Sequence, residues 1–284
     1  MIDEEIKEYL MCDYIYLPYE NKDSLNLSKT EIIKGESISK INGKDVYSPV
    51  SGNVLSLKSI MSTSGITNCL IIENDFKDTK KESVQIENLY KIDTNILKNE
   101  IGVITEDINV KVYLSKYDQS EAYLLKSNVK IVLEMLNLLT EIYNVKANII
   151  LNKKDLVSYR TLFSYINAYP NIKITFDKSL TANYKIYNIL DLYNKLKNKT
   201  PRDYIYVTVF NSGCNVYKIK KYSNLKELLN YTKVNSGKVY INEKEELTNY
   251  DYLLDDNVTS IFLKWHKHYI DKRMCFMYNQ NKRW

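Results

Sequence analysis

The segment Ala147-Asn148-Ile149-Ile150-Leu151 decides the fold class, because it predicts a buried strand between two helices. Outward from it, hydrophobic spacing predicts the order strand 111–114, helix 127–143, strand 147–151, helix 154–169, strand 172–176 and helix 185–197. The second of these helices is expected to end before Pro170. Such alternation predicts βαβ units, and therefore a central α/β domain with a mostly parallel sheet.

Both of the first two helices carry apolar residues at three-to-four spacing, which predicts that one face of each helix packs on the core. In the first helix these residues are Val129, Val132, Leu136, Leu139 and Tyr143. In the second helix they are Leu156, Tyr159, Phe163 and Ile166. We therefore expect these side chains to fill a core and not to contact a cofactor.

The flanking regions are mainly β in pattern. From about residue 14 to residue 78, short β-type runs alternate with turn residues, and Asn42-Gly43 is a strong hairpin signal. After residue 200 the pattern predicts strands at 204–210, 215–220, 238–241 and 258–263, with a helix at about 224–231. The expected fold is thus multidomain, α+β or α/β, with a β module on each side of the α/β domain.

Length and composition favour a globular protein. The 284 residues exceed what one small core needs, and 44% hydrophobic with 26% charged residues is typical of folded chains. Apolar runs such as 69–72 fall far short of the roughly 20 residues that a membrane helix requires. The acidic start of the chain also lacks the order of a secretory signal, so a cytoplasmic location is expected.

The net charge of +5 does not indicate nucleic-acid binding. The chain has 36 Lys and only 4 Arg, and arginine is the residue that reads bases and phosphates with two hydrogen bonds. The basic residues of 264–284 outnumber its single acid by five, which equals the net charge of the whole chain. We expect no nucleic-acid partner.

Cysteines, glycines and histidines exclude several kinds of site. The four cysteines are far apart in sequence, and no Cys-x-x-Cys pair occurs. The stretch from Val103 to Ser212 contains no glycine, so it cannot form a glycine-rich phosphate cradle. The only histidines are His266 and His268, which excludes a Ser-His-Asp triad from the first 265 residues.

Two polar clusters have a functional and a structural interpretation. His266 and His268, with Asp271 or Cys275, have the residue types of a zinc site, but surface histidines at a domain end are the preferred interpretation. Glu73 and Asp75 form a carboxylate pair near a strand end, and a solvated loop is preferred there.

The C-terminal segment 264–284 mixes basic and aromatic residues, a combination common at protein interfaces. It could dock on a protein partner or an anionic membrane surface, or it could pack back on its own domain, and the sequence favours neither. If it docks, the candidate partner-binding residues are Trp265, Lys267, Lys272, Arg273 and Phe276. No catalytic, cofactor-binding or metal-binding residue is assigned.

Three further segments resemble one known family. They are Ser48-Pro49-Val50-Ser51-Gly52-Asn53-Val54, Asn68 to Asp75, and Glu121-Ala122-Tyr123-Leu124, which is similar to that family's Glu-Pro-Tyr-Leu. Together with Tyr206-Val207-Thr208-Val209 and the order of modules, they resemble the RnfC-like family, the peripheral subunit of the Rnf ferredoxin:NAD oxidoreductase. The resemblance implies a barrel-sandwich hybrid domain at 1–90, an α/β domain at 91–200, an SLBB-like β-grasp domain at 201–265 and a basic aromatic tail at 266–284.

The chain departs from that family at both of its cofactor sites. The glycine-rich flavin and NADH loop has no counterpart after Gly102, and Cys275 alone cannot hold an iron–sulfur cluster. The departures imply that the FMN and 4Fe-4S sites are lost, and that the chain is a non-catalytic docking or assembly component of an electron-transfer or reductase complex. Its partners would be proteins of that complex, with peripheral membrane association through them. The alternative is an electron-transfer flavoprotein or NADH-binding subunit with an unconventional cofactor site.

Overall fold

The computed structural model describes residues 6–9, 11–26, 30–80, 89–91, 94–114, 118–153, 155–176, 179–198, 200–211, 213–233, 237–243 and 245–264. This part of the chain is a mixed α+β protein with several sheets, one of which is entirely parallel. The sheets follow one another along the chain in three regions.

The first 80 residues are mainly β. They contain β1 (Lys7–Tyr9), β2 (Tyr14–Tyr19), β3 (Glu31–Ile32), β4 (Ser37–Ile41), β5 (Lys44–Tyr47), β6 (Gly52–Ser62) and β7 (Gly65–Asn74). One antiparallel sheet has the order β2-β7-β6-β3, and β4 pairs with β5. The predicted hairpin at Asn42-Gly43 is confirmed, because it joins β4 to β5 with positive φ angles of 50° and 73°.

The middle region alternates strands and helices as predicted. It contains α1 (Thr94–Ile101), β8 (Ile108–Lys111), α2 (Ser120–Tyr143), β9 (Ala147–Ile150), α3 (Leu156–Phe163), β10 (Ile172–Thr175) and α4 (Ile186–Asn198). The three strands are parallel in the order β10-β9-β8. Because the strand order is sequential, right-handed crossovers place α2 and α3 on the same face of the sheet. The register neighbours Asn109, Asn148 and Lys173 lie on the other face and are half-buried or exposed.

Two predicted helices and one strand differ in their bounds. Helix α2 begins at Ser120, seven residues before the predicted start, and Asn128 within it has non-helical backbone angles. The Asn128 side chain donates to the carbonyl of Leu124 at 2.9 Å, so a local side-chain bond replaces regular helix there. The strand predicted at 111–114 lies three residues earlier, since β8 runs from Ile108 to Lys111.

The predicted apolar face of the second helix is confirmed for Tyr159 and Ile166, which pack against the core, and is wrong for Leu156 and Phe163. Helix α3 is only eight residues long, and a separate 3₁₀ turn at Ile166–Ala168 follows it. Leu156 and Phe163 are 58% and 57% exposed, whereas Leu162 is fully buried in the core. The short helix is therefore rotated relative to the face that the spacing predicted. By contrast, the predicted apolar residues of α2 are buried, except for Tyr143, which is partly exposed.

The last region forms a six-stranded mixed sheet. Its elements are β11 (Tyr204–Asn211), β12 (Gly213–Lys220), β13 (Ser223–Asn224), α5 (Leu225–Tyr231), β14 (Lys238–Ile241), β15 (Glu245–Leu247), β16 (Leu253–Leu254) and β17 (Ser260–Lys264). The strand order is β1-β12-β11-β17-β14-β15, with β17 parallel to β11 and β1 parallel to β12. The other pairs are antiparallel, and β13 pairs separately with β16.

The three regions share contacts. Tyr206 and Val216 of the six-stranded sheet belong to the same buried cluster as the helices of the middle region. An ionic cluster joins the first region to the last, because Nζ of Lys34 lies 2.6 Å from Asp203 and Nζ of Lys220 lies 3.2 Å from the same carboxylate. Lys220 also donates to the carbonyl of Pro49 at 3.3 Å. Loops of the first region are thus bonded to the residue before β11 and to the end of β12.

Candidate functional site

The candidate functional site lies where the N-terminus of α2 meets the six-stranded sheet. This end of α2 follows the carboxyl end of β8, the edge at which α/β sheets usually bind ligands. We call it the junction site and define it by Asp118, Ser120, Glu121, Tyr187, Arg202, Asp256 and Thr259.

Hydrogen bonds fix the start of α2 against two strands. Asp118 accepts from the backbone and the hydroxyl of Ser120, at 3.1 and 2.8 Å, and its second carboxylate oxygen accepts from the hydroxyl of Thr259 beside β17. The backbone N–H of Gln119 donates to Thr208 of β11 at 2.9 Å. The helix start and the sheet therefore form one polar seam.

Glu121 is a buried carboxyl in the first turn of α2. It is only 6% exposed, and one of its carboxylate oxygens accepts from the backbone N–H of Tyr113 at 2.8 Å. Burial raises the pKa of Glu121 to about 7, and the negative charge of Asp118 adds to the rise. The Tyr113 N–H and the positive charges of Lys185 and Lys111 offset part of it. Glu121 consequently changes its charge near neutral pH.

Arg202 anchors the other side of the junction site. Its side chain is 2% exposed and donates to the Tyr204 carbonyl at 2.7 Å and to Asp256 at 2.6 Å. Nε lies 2.9 Å from Asp191 of α4, without the alignment of a hydrogen bond, so this contact is ionic. The guanidinium also lies 5.5 Å from the ring of Tyr187. One arginine thus joins α4 to the loop before β17.

The two carboxylates beside Arg202 have opposite pKa shifts. Burial would raise the pKa of Asp256, but the positive charges of Lys221 and Arg202 outweigh it and lower the pKa. Burial raises the pKa of Asp191, because the positive charge of Arg202 offsets the loss of hydration only in part. Asp256 is therefore the more firmly ionised partner of Arg202.

The space left between these groups is small. Glu121, Arg202, Asp256 and Thr259 line a cavity of about 20 Å³. A single water molecule needs roughly 10–15 Å³ on the same measure, whereas ligand pockets usually reach about 300 Å³ or more. The junction site has room for a water molecule, and a flavin or nicotinamide ring would require the helix and the sheet to separate.

The predicted partner-binding residues lie outside the described part of the chain. They are Trp265, Lys267, Lys272, Arg273 and Phe276. The predicted alternative zinc ligands lie outside it as well: His266, His268, Asp271 and Cys275. Among the described residues, no group of three or more His, Cys, Asp or Glu side chains is placed to hold a metal ion.

The other predicted polar and thiol positions have structural surroundings. Asp75 accepts from the hydroxyl of Ser51 at 2.6 Å and from the backbone N–H of Lys77 at 2.9 Å, and these bonds lower its pKa, whereas Glu73 is exposed on β7. Cys12 and Cys69 are fully buried, and burial raises the pKa of each thiol to about 12. Both thiols therefore stay protonated and unreactive near neutral pH.

Sequence reasoning missed the ionic half of the junction site. Arg202 is one of only four arginines, and it stands beside Pro201 between two predicted regions. That scarcity was the available signal, because arginine is favoured over lysine in buried ion pairs. Nothing in the local sequence indicated that Asp191 and Asp256 would be its partners.

No protein-family model matches the sequence, and no curated protein matches it either.

None of the described helices combines the length and the apolar character needed to cross a bilayer.

Proposed function

We propose that this chain is a non-catalytic, RnfC-like docking or assembly component of an electron-transfer or reductase complex. In this proposal the regions are a barrel-sandwich hybrid, an α/β domain and an SLBB-like β-grasp domain. The protein acts by holding partner proteins together.

The observation that carries the proposal is the strand order of the last sheet. When the edge strand β1 is left aside and the other five strands are numbered along the chain, the order β12-β11-β17-β14-β15 becomes 2-1-5-3-4, and α5 connects the second strand to the third. A first strand parallel to the last, with one helix across the sheet, supports the proposal that this region is a β-grasp domain. It follows a parallel α/β region and an antiparallel β region in the order that the resemblance implies. Fold order supports kinship more strongly than function, so the function needs its own test.

The junction site supports a binding role over a catalytic one. Hydrogen bonds hold the start of α2 against the six-stranded sheet, a buried ion pair joins Arg202 to Asp256, and the cavity between these groups has room only for water. The connection from β8 to α2 also lacks glycine, so it cannot bring backbone amides close to a phosphate as glycine-rich loops do.

One observation favours the alternative of a redox subunit with an unconventional site. Glu121 titrates near neutral pH and lies at the carboxyl end of a parallel strand, where α/β proteins bind ligands. A cofactor bound there would have to open the seam between Asp118 and Thr259.

An absorption spectrum separates the two functions. We expect protein purified without oxygen from its cells of origin to show only aromatic absorption. Stoichiometric flavin, or iron with acid-labile sulfide, would support the alternative. In the same preparation, mass spectrometry of cross-linked partners should identify subunits of a redox or reductase complex. Partners with no connection to electron transfer would overturn the proposed function.

A further inference from the structure

The parallel sheet of the middle region has an open edge at β10. The sheet order is β10-β9-β8, and no described strand pairs with the outer side of β10. Asn171 and Thr175 direct their carbonyls towards β9, where they accept from Ala147 and Leu151 at 3.0 and 2.9 Å. The alternation of a parallel ladder then points the backbone groups of Ile174 to the open side.

Exposed apolar side chains of α3 are connected to the end of β10 by ring contacts. Leu156 and Phe163 of α3 are 58% and 57% exposed, and both occupy the solvent side of the helix. The ring of Tyr159 lies 5.7 Å from the ring of Phe163 and 5.7 Å from that of Phe176, which directly follows β10. The rings connect the exposed side of α3 to the end of β10. Large exposed apolar groups that adjoin one another are typical of interaction surfaces.

Among the described residues from 151 to 176, every exposed charged side chain is basic. The described residues from 151 to 176 contain three cations, Lys153, Arg160 and Lys173, and all three are exposed. Their one carboxylate, Asp155, is 3% exposed and caps α3 by accepting from the backbone N–H of Ser158. Within the described part of the chain, none of the three cations forms an ion pair. The positive charge is therefore available to a partner.

We propose that the outer edge of β10 and the exposed side of α3 form a docking site for an acidic, extended segment of a partner protein, which adds as a further strand beside β10. We call this surface the β10 edge site and define it by Leu156, Arg160 and Phe163 on the side of the sheet that carries α3, Lys173 on the opposite face, and the outer backbone of Ile174. A strand beside β10 presents alternate side chains to both faces. Backbone hydrogen bonds to Ile174 would supply affinity, and alternate side chains would supply specificity. The inference rests on the proposed docking function and names the surface that performs it.

The positive charge of the β10 edge site also favours an acidic partner segment over a second copy of the chain. Pairing two β10 strands edge to edge would bring Lys173 of one copy close to Lys173 of the other, and lysine on an edge strand is a common device against such self-pairing. An acidic segment meets the same lysine with opposite charge.

Peptide binding tests the site without any redox partner. The probe is a peptide of about eight residues that alternates glutamate and valine, a usual strand length. Its controls are a peptide that alternates lysine and valine, and a version of the acidic peptide with N-methyl groups on alternate amides. We expect saturable binding of the acidic peptide that weakens with added salt, and at least about tenfold weaker binding of either control, since the former repels the cations and the latter lacks the donors.

Variants assign the binding to this surface. Phe163→Ser and the double variant Arg160→Glu with Lys173→Glu should each weaken the acidic peptide about tenfold or more. Ile66→Ser, at an apolar side chain that is 77% exposed on β7, and Lys44→Glu, at an exposed lysine of β5, are the matched controls and should leave binding unchanged. Thermal melts confirm that each variant is folded, and any variant that melts early is replaced by Leu156→Ser.

Three outcomes would overturn the β10 edge site. They are no binding by the unmodified protein, equal binding of the N-methylated peptide, and unchanged binding by the Phe163 and double variants. If sedimentation instead shows that Phe163→Ser converts a dimer to a monomer, the occupant is a second copy and the proposal is wrong. None of these results decides the proposed function, which is tested separately by the absorption spectrum and by the identification of cross-linked partners.

Discussion

At the scale of single residues, the junction site contains buried charged groups that lose their hydration. These groups differ in how many hydrogen bonds and ion pairs replace it. Glu121 recovers one backbone hydrogen bond for its burial, whereas Arg202 is held by two carboxylates and a carbonyl. A buried charge with poor compensation destabilises the folded state, and a well-compensated one becomes costly only when a partner is removed.

Replacing Glu121 with glutamine should make the protein more stable at neutral and higher pH. The folded pKa of Glu121, about 7, lies above its ordinary value of 4.5, so the folded state binds more protons between these pH values. Stability therefore falls as pH rises from about 4.5 to 7, and the full effect amounts to about 3 kcal/mol. The glutamine side chain can still accept from the backbone N–H of Tyr113, and it carries no charge. We expect a higher urea midpoint above pH 7 and a shallower fall of stability with pH.

The control for this measurement is Glu141→Gln, at an exposed position of the same helix. Glu227 of α5 complicates the profile, because burial also raises its pKa to about 7 while it accepts from the backbone N–H of Asp13 at 3.1 Å. Part of the pH dependence should therefore remain in Glu121→Gln and disappear in the double variant with Glu227→Gln. An unchanged pH profile in both variants would show that neither carboxyl has a raised pKa.

Replacing Arg202 with leucine should destabilise the protein strongly. The change leaves Asp191 without its close cation and Asp256 with Lys221 alone. Removing one partner of a buried ion pair costs about 3–5 kcal/mol. The matched variant Lys238→Leu breaks an exposed pair with Glu246 and should cost much less than the buried pair. Chemical denaturation of both variants measures the difference, and equal losses would contradict the structural role of Arg202.

At the scale of elements, two glycines have contrasting reasons for being present. Gly43 has a φ of +73° in the β4–β5 turn, and open space surrounds the position of a Cβ atom. At Gly52, which begins β6, a Cβ atom would lie 1.8 Å from the carbonyl oxygen of Glu73 on the paired strand. The first glycine serves backbone conformation, and the second allows two strands to approach.

Alanine at these two positions should separate the two effects. Gly43→Ala should cost about 1 kcal/mol, the usual penalty for a left-handed conformation without glycine. Gly52→Ala should cost several times as much, because β6 must move away from Glu73 and disturb the β6–β7 pairing. Thermal melts with hydrogen exchange at the β7 amides make the comparison. Similar losses in both variants would mean that β6 can shift at little cost.

Local patterns predicted elements whose causes lie within a few residues. Asn42-Gly43 determines its hairpin through backbone conformation alone, and the alternation of strands and helices indicated a parallel sheet correctly. The rotated face of α3 was not predictable, because apolar spacing shows which residues could be buried but not which side the sheet offers. The pairing of Arg202 with Asp256, and of Asp118 with Thr259, joins positions 54 and 141 residues apart. Such contacts depend on how whole sheets come together.

At the scale of the whole molecule, the segment 265–284 offers a test of docking. Removing it should change the melting temperature by less than about 2 °C, because β17 ends at Lys264 and all six described strands of the sheet are retained. Recovery of partner proteins should fall. The part of binding that depends on the charges of the segment should weaken as salt is added, because exposed charges are screened over a Debye length of roughly 8 Å at physiological ionic strength. The measurement compares full-length and truncated protein in pull-downs and melts. A steep loss of melting temperature with the same partners recovered would show that the segment is structural.

The parallel pairing of β1 with β12 delays the placement of the first described strand during synthesis. Lys7 pairs with Tyr217, so β1 has no place in its sheet until the ribosome has produced β12, the second strand of the last region. At roughly 5–20 residues per second, the N-terminal strand waits roughly 10 to 40 s for its partner. During that interval its edge of unpaired backbone is open to chaperones and to other nascent chains, and a faster-translated message would shorten the exposure.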